Sequence, residues 1–147
     1  MARKLHTRLP LTPVAGARAR RCLEPLRKHL HPETFDSLRL LVSELVNNSL
    51  RHSGRPEGDP ILLNVELTDG EVRVEVVDRG SGPDVIRPAP GAEDESGWGL
   101  YLVDRLADAW GYSRDGPTRV WFELSVRPSG EVGRLPSWPR SSQAGTA

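Results

Sequence analysis

Glu44, Asn48 and His52 stand four residues apart in a stretch, Ser43 to His52, whose neighbours repeat at helical intervals. Phe35, Leu38, Leu41, Val42, Leu45, Val46 and Ser49 recur in three- and four-residue steps and form one apolar or small face. At about 100° per residue, the three polar side chains make a stripe along the border of that face, not on the opposite side. An acid and an amide at the margin of a core are costly unless something satisfies them. A metal ion with its water, or a nucleotide, would do so. The plainer alternative is a solvated Glu44 and a capping Asn48.

Two glycine-bearing stretches follow. Asp78-Arg79-Gly80-Ser81-Gly82 ends a strand-like run. Gly80 and Gly82 let the backbone turn tightly and let a flat ligand approach it. A carboxylate beside them can accept a hydrogen bond from an exocyclic amine such as that of adenine. Asp78-x-Gly80 alone fits an ordinary turn equally well. Gly97-x-Gly99, followed by Leu100, opens a helical pattern, where exposed N–H groups and the helix dipole suit phosphate. Neither the Walker loop nor the three-glycine dinucleotide fingerprint is present.

In combination, Glu44-x-x-x-Asn48, Asp78-x-Gly80-x-Gly82, Gly97-x-Gly99 and Gly116-x-Thr118 resemble the boxes of the GHKL (histidine kinase-like) ATPase superfamily. The wording Glu-Leu-Val-x-Asn-x-x-x-His and the single small domain resemble its anti-sigma-factor serine kinase branch. The likeness covers roughly residues 5–126. It implies a Bergerat-type ATP-binding fold with ATP and Mg²⁺ as cofactors. It implies Asn48 as Mg²⁺ ligand, Glu44 as the acid that acts as general base or orients an attacking group, and Asp78 as the acid that reads adenine. Gly80 and Gly82 would lie beside the base, and Gly97, Gly99 and Leu100 at the phosphate-cradling hinge. Thr118 would supply a hydroxyl near Asp78. The implied activity is phosphorylation of a serine or threonine on a STAS-type anti-anti-sigma protein, with a sigma factor as a further partner. The alternative is a nucleotide-sensing binding module that controls a protein partner through its lid without transferring phosphate. A histidine-kinase output domain is disfavoured, because no helix pair bearing a phosphoacceptor His precedes the central helix.

These residues need elements to hold them. Residues 5–11 read as a short edge strand and 13–30 as a helix that Pro25 ends or kinks. The central helix runs from His31-Pro32-Glu33 to about His52, and residues 53–60 are loop. Ile61–Thr68 and Glu71–Val77 form a hairpin about Asp69-Gly70. Residues 79–96 lack periodicity and suit a lid. A helix from about Gly99 to Ala109 carries Leu102, Val103, Leu106, Ala107 and Trp110 on its apolar stripe, with Gly111 as its stop. Residues 112–114 and 119–126 read as strands. The order β-α-α-β-β-α-β-β predicts an α+β, two-layer sandwich: a mixed, mostly antiparallel sheet with helices on one face. Residues 1–127 form one domain and 128–147, with Trp138, a flexible tail.

Composition narrows the classes. Twenty cationic and twenty acidic residues cancel, so no global field points to nucleic acid or an anionic membrane. Charge is nonetheless uneven: residues 1–30 carry eight Arg or Lys against Glu24 alone. Cys22 is the one cysteine, which excludes an internal disulfide. No apolar run approaches the ~18 residues of a membrane span. The N-terminal residues lack a signal-peptide core. A cytoplasmic protein is expected, with the first strand and helix as a candidate homodimer surface.

Overall fold

The computed structural model describes residues 2–52, 60–78, 96–113 and 115–126, with side chains 51, 52 and 96–100 outside that description. The lid expected over 79–96 therefore falls outside it but for Ser96. So do Gly80, Gly82, the side chain of His52 and the expected tail. The elements are β1 (Arg3–Leu9), α1 (Ala15–Leu23), a 3-10 segment (Glu24–His29), α2 (Pro32–His52), β2 (Ile61–Leu67), β3 (Glu71–Asp78), α3 (Ser96–Leu106), β4 (Ala109–Ser113) and β5 (Thr118–Ser125). One sheet has the order β1-β2-β3-β5-β4, and all four pairings are antiparallel. The α+β sandwich expected from the pattern is present.

Strand alternation divides the two faces of the sheet. Leu63, Val65, Val72, Val74, Val76, Val120, Phe122 and Leu124 are buried, and they join one core with Leu38, Leu41, Val42, Leu45 and Val46 of α2. The residues between them face outward and carry the polar pairs. Arg73 bonds Glu123 at 2.7 Å, Asn64 donates to Glu75 at 3.1 Å, and His6 meets the Asn64 carbonyl oxygen. This is the period-two pattern of a half-covered sheet.

Each helix end has a local cause. Pro25 cannot donate a main-chain hydrogen bond, and from Glu24 the chain tightens into the 3-10 segment. Arg27 clasps Glu24 there through two 3.0 Å bonds. His31 starts α2: its Nδ1 accepts from the Glu33 N–H at 3.2 Å, and Pro32 sits where no donor is required. The alternating β2 and β3 turn back at Asp69-Gly70, where Thr68 Oγ1 accepts from the N–H of Glu71 at 3.2 Å.

The third helix corrects one expectation. It begins at Ser96 and ends at Leu106, and Trp110 and Gly111 belong to β4. Trp110 sits three or four places beyond Leu106 and Ala107, so helical spacing alone assigned it to the stripe. Pairing with β5 captures it instead. Asp108 N–H bonds the Glu123 carbonyl at 2.9 Å, and Trp110 lies opposite Phe122. The Trp110 indole N–H donates to Asp104 Oδ1 at 2.8 Å, which ties α3 to β4.

Gly111 is needed for space, not as a helix stop. It lies opposite Trp121, and a Cβ there would meet the indole at 2.8 Å. The Arg73 guanidinium also lies over that indole, 4.3 Å from the ring centroid, which restricts the ring's freedom to move. Gly111→Ala should lower unfolding free energy by about 1–3 kcal/mol, the usual range for an overpacked site. Urea titration should show a lower midpoint at unchanged slope. A midpoint equal to that of the wild type would show that the indole moves freely.

Candidate functional site

Asp78 ends β3, and Thr118 begins β5 directly opposite it in the register. Both continue the inward-facing columns of their strands: Val72, Val74 and Val76 precede Asp78, and Val120, Phe122 and Leu124 follow Thr118. A carboxylate thus takes the place the next aliphatic side chain would have, at the end of a helix-covered apolar column. Asp78 is 7% exposed. A carboxylate buried there is held by specific polar contacts and not by bulk solvent.

The turn before β5 sets Thr118 in that place. Gly116 has φ +88°, a left-handed conformation that favours glycine. β5 starts two residues later.

The second pair comes from α2. Asn48 lies one turn after Glu44, as the four-residue spacing requires. Glu44 is half-buried, whereas Asn48 is 7% exposed. The Asn48 side-chain oxygen is enclosed and, among the described residues, has no hydrogen-bond partner. Buried amide oxygens are normally satisfied, and an orphan costs about 1–3 kcal/mol. α2, which carries Glu44 and Asn48, touches β3, β5 and α3. Helix α3 brings Gly97, Gly99 and Leu100 into its first turns.

An unpartnered amide oxygen fits a hard cation such as Mg²⁺, which takes oxygen ligands and keeps several waters. Among the described residues no three His, Cys, Asp or Glu gather into a metal-binding group.

Sequence spacing did not reveal how α1 braces α2. Arg20 of α1 donates to Ser43 Oγ at 3.1 Å, one residue before Glu44. Gly16 faces Asn47, whose Oδ1 would stand 3.0 Å from a Cβ at that position. The excess of cations in residues 1–30 does not by itself single out Arg20 as the residue that crosses to its neighbour. The signals were the small residues Gly16 and Ser43, which permit close helix approach.

Comparison with known proteins agrees with this architecture. The family model described as histidine kinase-like ATPase domain matches residues 9–124. An uncharacterised protein of Streptomyces coelicolor is 33% identical over 91 residues, which cover 61% of this chain and 83% of that protein. An anti-sigma F factor of Clostridium botulinum is 31% identical over 84 residues, 52% of this chain and 59% of that protein. The chain thus matches under two thirds of the anti-sigma factor. The crystal structure of the RsbU and RsbW domains of a Mycobacterium tuberculosis protein superposes with TM-score 0.67 at 23% identity. That match covers 86% of this chain and 33% of the other, and it is a likeness of fold.

Proposed function

Because the chain belongs to the histidine kinase-like ATPase domain family, we propose that it is an ATP-binding regulator that phosphorylates a serine or threonine on a STAS-type anti-anti-sigma protein and restrains a sigma factor. The observation that carries this reading is the enclosed, unpartnered Asn48 oxygen one helical turn from Glu44. Similarity to anti-sigma F factors supports the regulatory setting.

In this mechanism Asn48 would hold Mg²⁺, which would neutralise charge on the nucleotide phosphates. Asp78 accepts the exocyclic N–H of adenine, and Thr118 places its hydroxyl beside that contact. The helix N-terminus at Gly97 and Gly99 turns backbone N–H groups toward phosphate. Glu44 takes the proton from the partner's hydroxyl as that oxygen bonds the γ-phosphorus. The bond from γ-phosphorus to the bridging oxygen breaks, and ADP leaves. Most of the catalysis is positioning and charge neutralisation.

Glu44→Ala separates transfer from binding. The variant should lose phosphate transfer to a STAS partner by roughly 100-fold or more, the lower range for removing a general base. Its affinity for ATP·Mg²⁺, measured by calorimetry, should stay within a few-fold of wild type. Transfer at the wild-type rate would remove Glu44 from the base role. A wild-type protein that binds ATP but labels no STAS partner would instead be a nucleotide-sensing module.

A further inference from the structure

Helix α3 must stand in one position for its first turns to face a phosphate, yet its apolar grip on the rest of the fold is small. Among its described side chains, Val103 is buried, Tyr101 and Leu102 are half-buried, and Arg105 and Leu106 are exposed. Ala107, just past the helix end, is a second small buried anchor. Arg105 bonds the Tyr101 hydroxyl at 3.1 Å, a contact within the helix that fixes nothing outside it. Apolar burial is non-directional, so Val103 and Ala107 do little to set the rotation of α3 about its axis.

Asp104 adds a direction. It is 2% exposed, and its Oδ1 accepts from the Trp110 indole N–H at 2.8 Å. Its Oδ2 is enclosed and, among the described residues, has no hydrogen-bond partner. A carboxyl group enclosed with one oxygen unmatched costs stability, and a leucine, with the same branching, would avoid that cost. Packing therefore explains this side chain poorly, whereas an acceptor aimed at one donor explains it well. The donor is itself held fast. Trp110 is buried, stacks on Tyr112 with 6.2 Å between ring centroids, and lies opposite Phe122 of β5.

The bond acts at a distance along the helix. Gly99 and Gly97 precede Asp104 by five and seven residues, which is about 8 and 10 Å along the axis. Turning the helix by about 20° would move a Cα on its surface by roughly 0.8 Å. Hydrogen bonds from its first turns are sensitive to a displacement of that size. β4 pairs with β5, and β5 begins with Thr118 opposite Asp78. In the proposed site the adenine contacts thus belong to the sheet, and the phosphate contacts belong to a helix that Asp104 ties to that sheet.

We infer that Asp104 is a positioning residue: through its hydrogen bond to Trp110 it sets α3 against the sheet so that the backbone N–H groups at Gly97 and Gly99 meet the nucleotide phosphates. The inference rests on the proposed ATP site. It assigns Asp104 to phosphate affinity and leaves adenine recognition to the strands.

The test titrates ATP and adenosine by calorimetry into the full chain and into its variants Asp104→Leu, Asp104→Asn and Trp110→Phe. Asp104→Leu and Trp110→Phe should each weaken ATP binding by about tenfold or more, the scale of one lost charge-assisted hydrogen bond. Adenosine binding should change by less than about threefold. Asp104→Asn keeps an oxygen that accepts from the indole, so both affinities should stay within about threefold of wild type. In the ligand-free proteins, hydrogen exchange of the α3 amides should be faster in Asp104→Leu and Trp110→Phe and unchanged in Asp104→Asn. Equal losses for ATP and adenosine overturn the inference, because the substitution then disturbs the fold at large. Wild-type ATP affinity or unchanged α3 exchange in both Asp104→Leu and Trp110→Phe overturns it too, as does an Asp104→Asn variant as weak as Asp104→Leu. If Asp104→Leu does not fold, Trp110→Phe is read by the same criteria. A wild-type protein that binds neither ligand overturns the ATP reading and the phosphate role together, while the exchange rates still decide whether the bond to Trp110 positions α3.

Discussion

Asn48→Ala should abolish the magnesium-dependent part of ATP binding while leaving the ligand-free protein about as stable as the wild type. The two halves of this expectation have one cause. The Asn48 oxygen is enclosed without a partner, so the ligand-free fold already bears its desolvation cost. Replacing it by a methyl group removes that cost and leaves a small void, and the two effects roughly cancel. Truncating a buried, hydrogen-bonded amide would instead destabilise. In the proposed assignment this oxygen would be a Mg²⁺ ligand, so its loss should weaken ATP binding by roughly 100-fold, about 2.7 kcal/mol. Thermal unfolding reads both halves. Wild type at ATP·Mg²⁺ a hundred times its dissociation constant gains about 2.7 kcal/mol. The variant should gain little and should not respond to removal of Mg²⁺. Unchanged magnesium dependence in Asn48→Ala would sink the assignment.

Asp78→Asn should cost nucleotide affinity by at least about 100-fold and blunt the preference for adenine. The substitution keeps the shape of the side chain and replaces one carboxylate oxygen by a donor. A site that accepts an exocyclic amine then faces it with like polarity. Sites built to pair a specific polar group discriminate strongly, because the mismatched group stays buried and unpaired. The enclosed position of Asp78 at the end of the β3 column makes that penalty hard to relieve with water. Guanine carries an acceptor where adenine carries the amine, so the ratio of ATP to GTP affinity should fall in the variant. Calorimetric titration of both nucleotides against both proteins checks this. Wild-type affinity for ATP in Asp78→Asn would show that Asp78 does not read the base. A circular dichroism spectrum matching the wild type keeps loss of binding distinct from loss of fold.

Much of the fold was readable along the chain. The three- and four-residue spacing from Phe35 to Ser49 defined α2, and alternation about Asp69-Gly70 defined the hairpin of β2 and β3. Pro25 marked the change to a 3-10 segment. The exception came where two periodicities overlapped. Leu106, Ala107 and Trp110 satisfy a helical stripe, but Trp110 also alternates with Tyr112 on the inward face of β4. Only the neighbouring β5 decides between them, and a local pattern does not contain that neighbour. Gly111 was misread as a helix stop for the same reason, since the indole that requires it lies ten residues away on another strand.

The candidate site divides along the same line. Types and spacing alone determined that Glu44 and Asn48 share a helix edge, because residues four apart on a helix must. They also marked Asp78 as an acid at a strand end. Tertiary structure decided the rest. It set Thr118 opposite Asp78, forty residues away, through the register of β3 and β5. It enclosed the Asn48 oxygen without a partner, and it drew Arg20 across to Ser43. Periodicity is a property of one segment, so the sequence displays it. Register, enclosure and the crossing of two helices arise from packing between segments, where burying the shared apolar faces chooses one arrangement and fixes the polar residues at their margins.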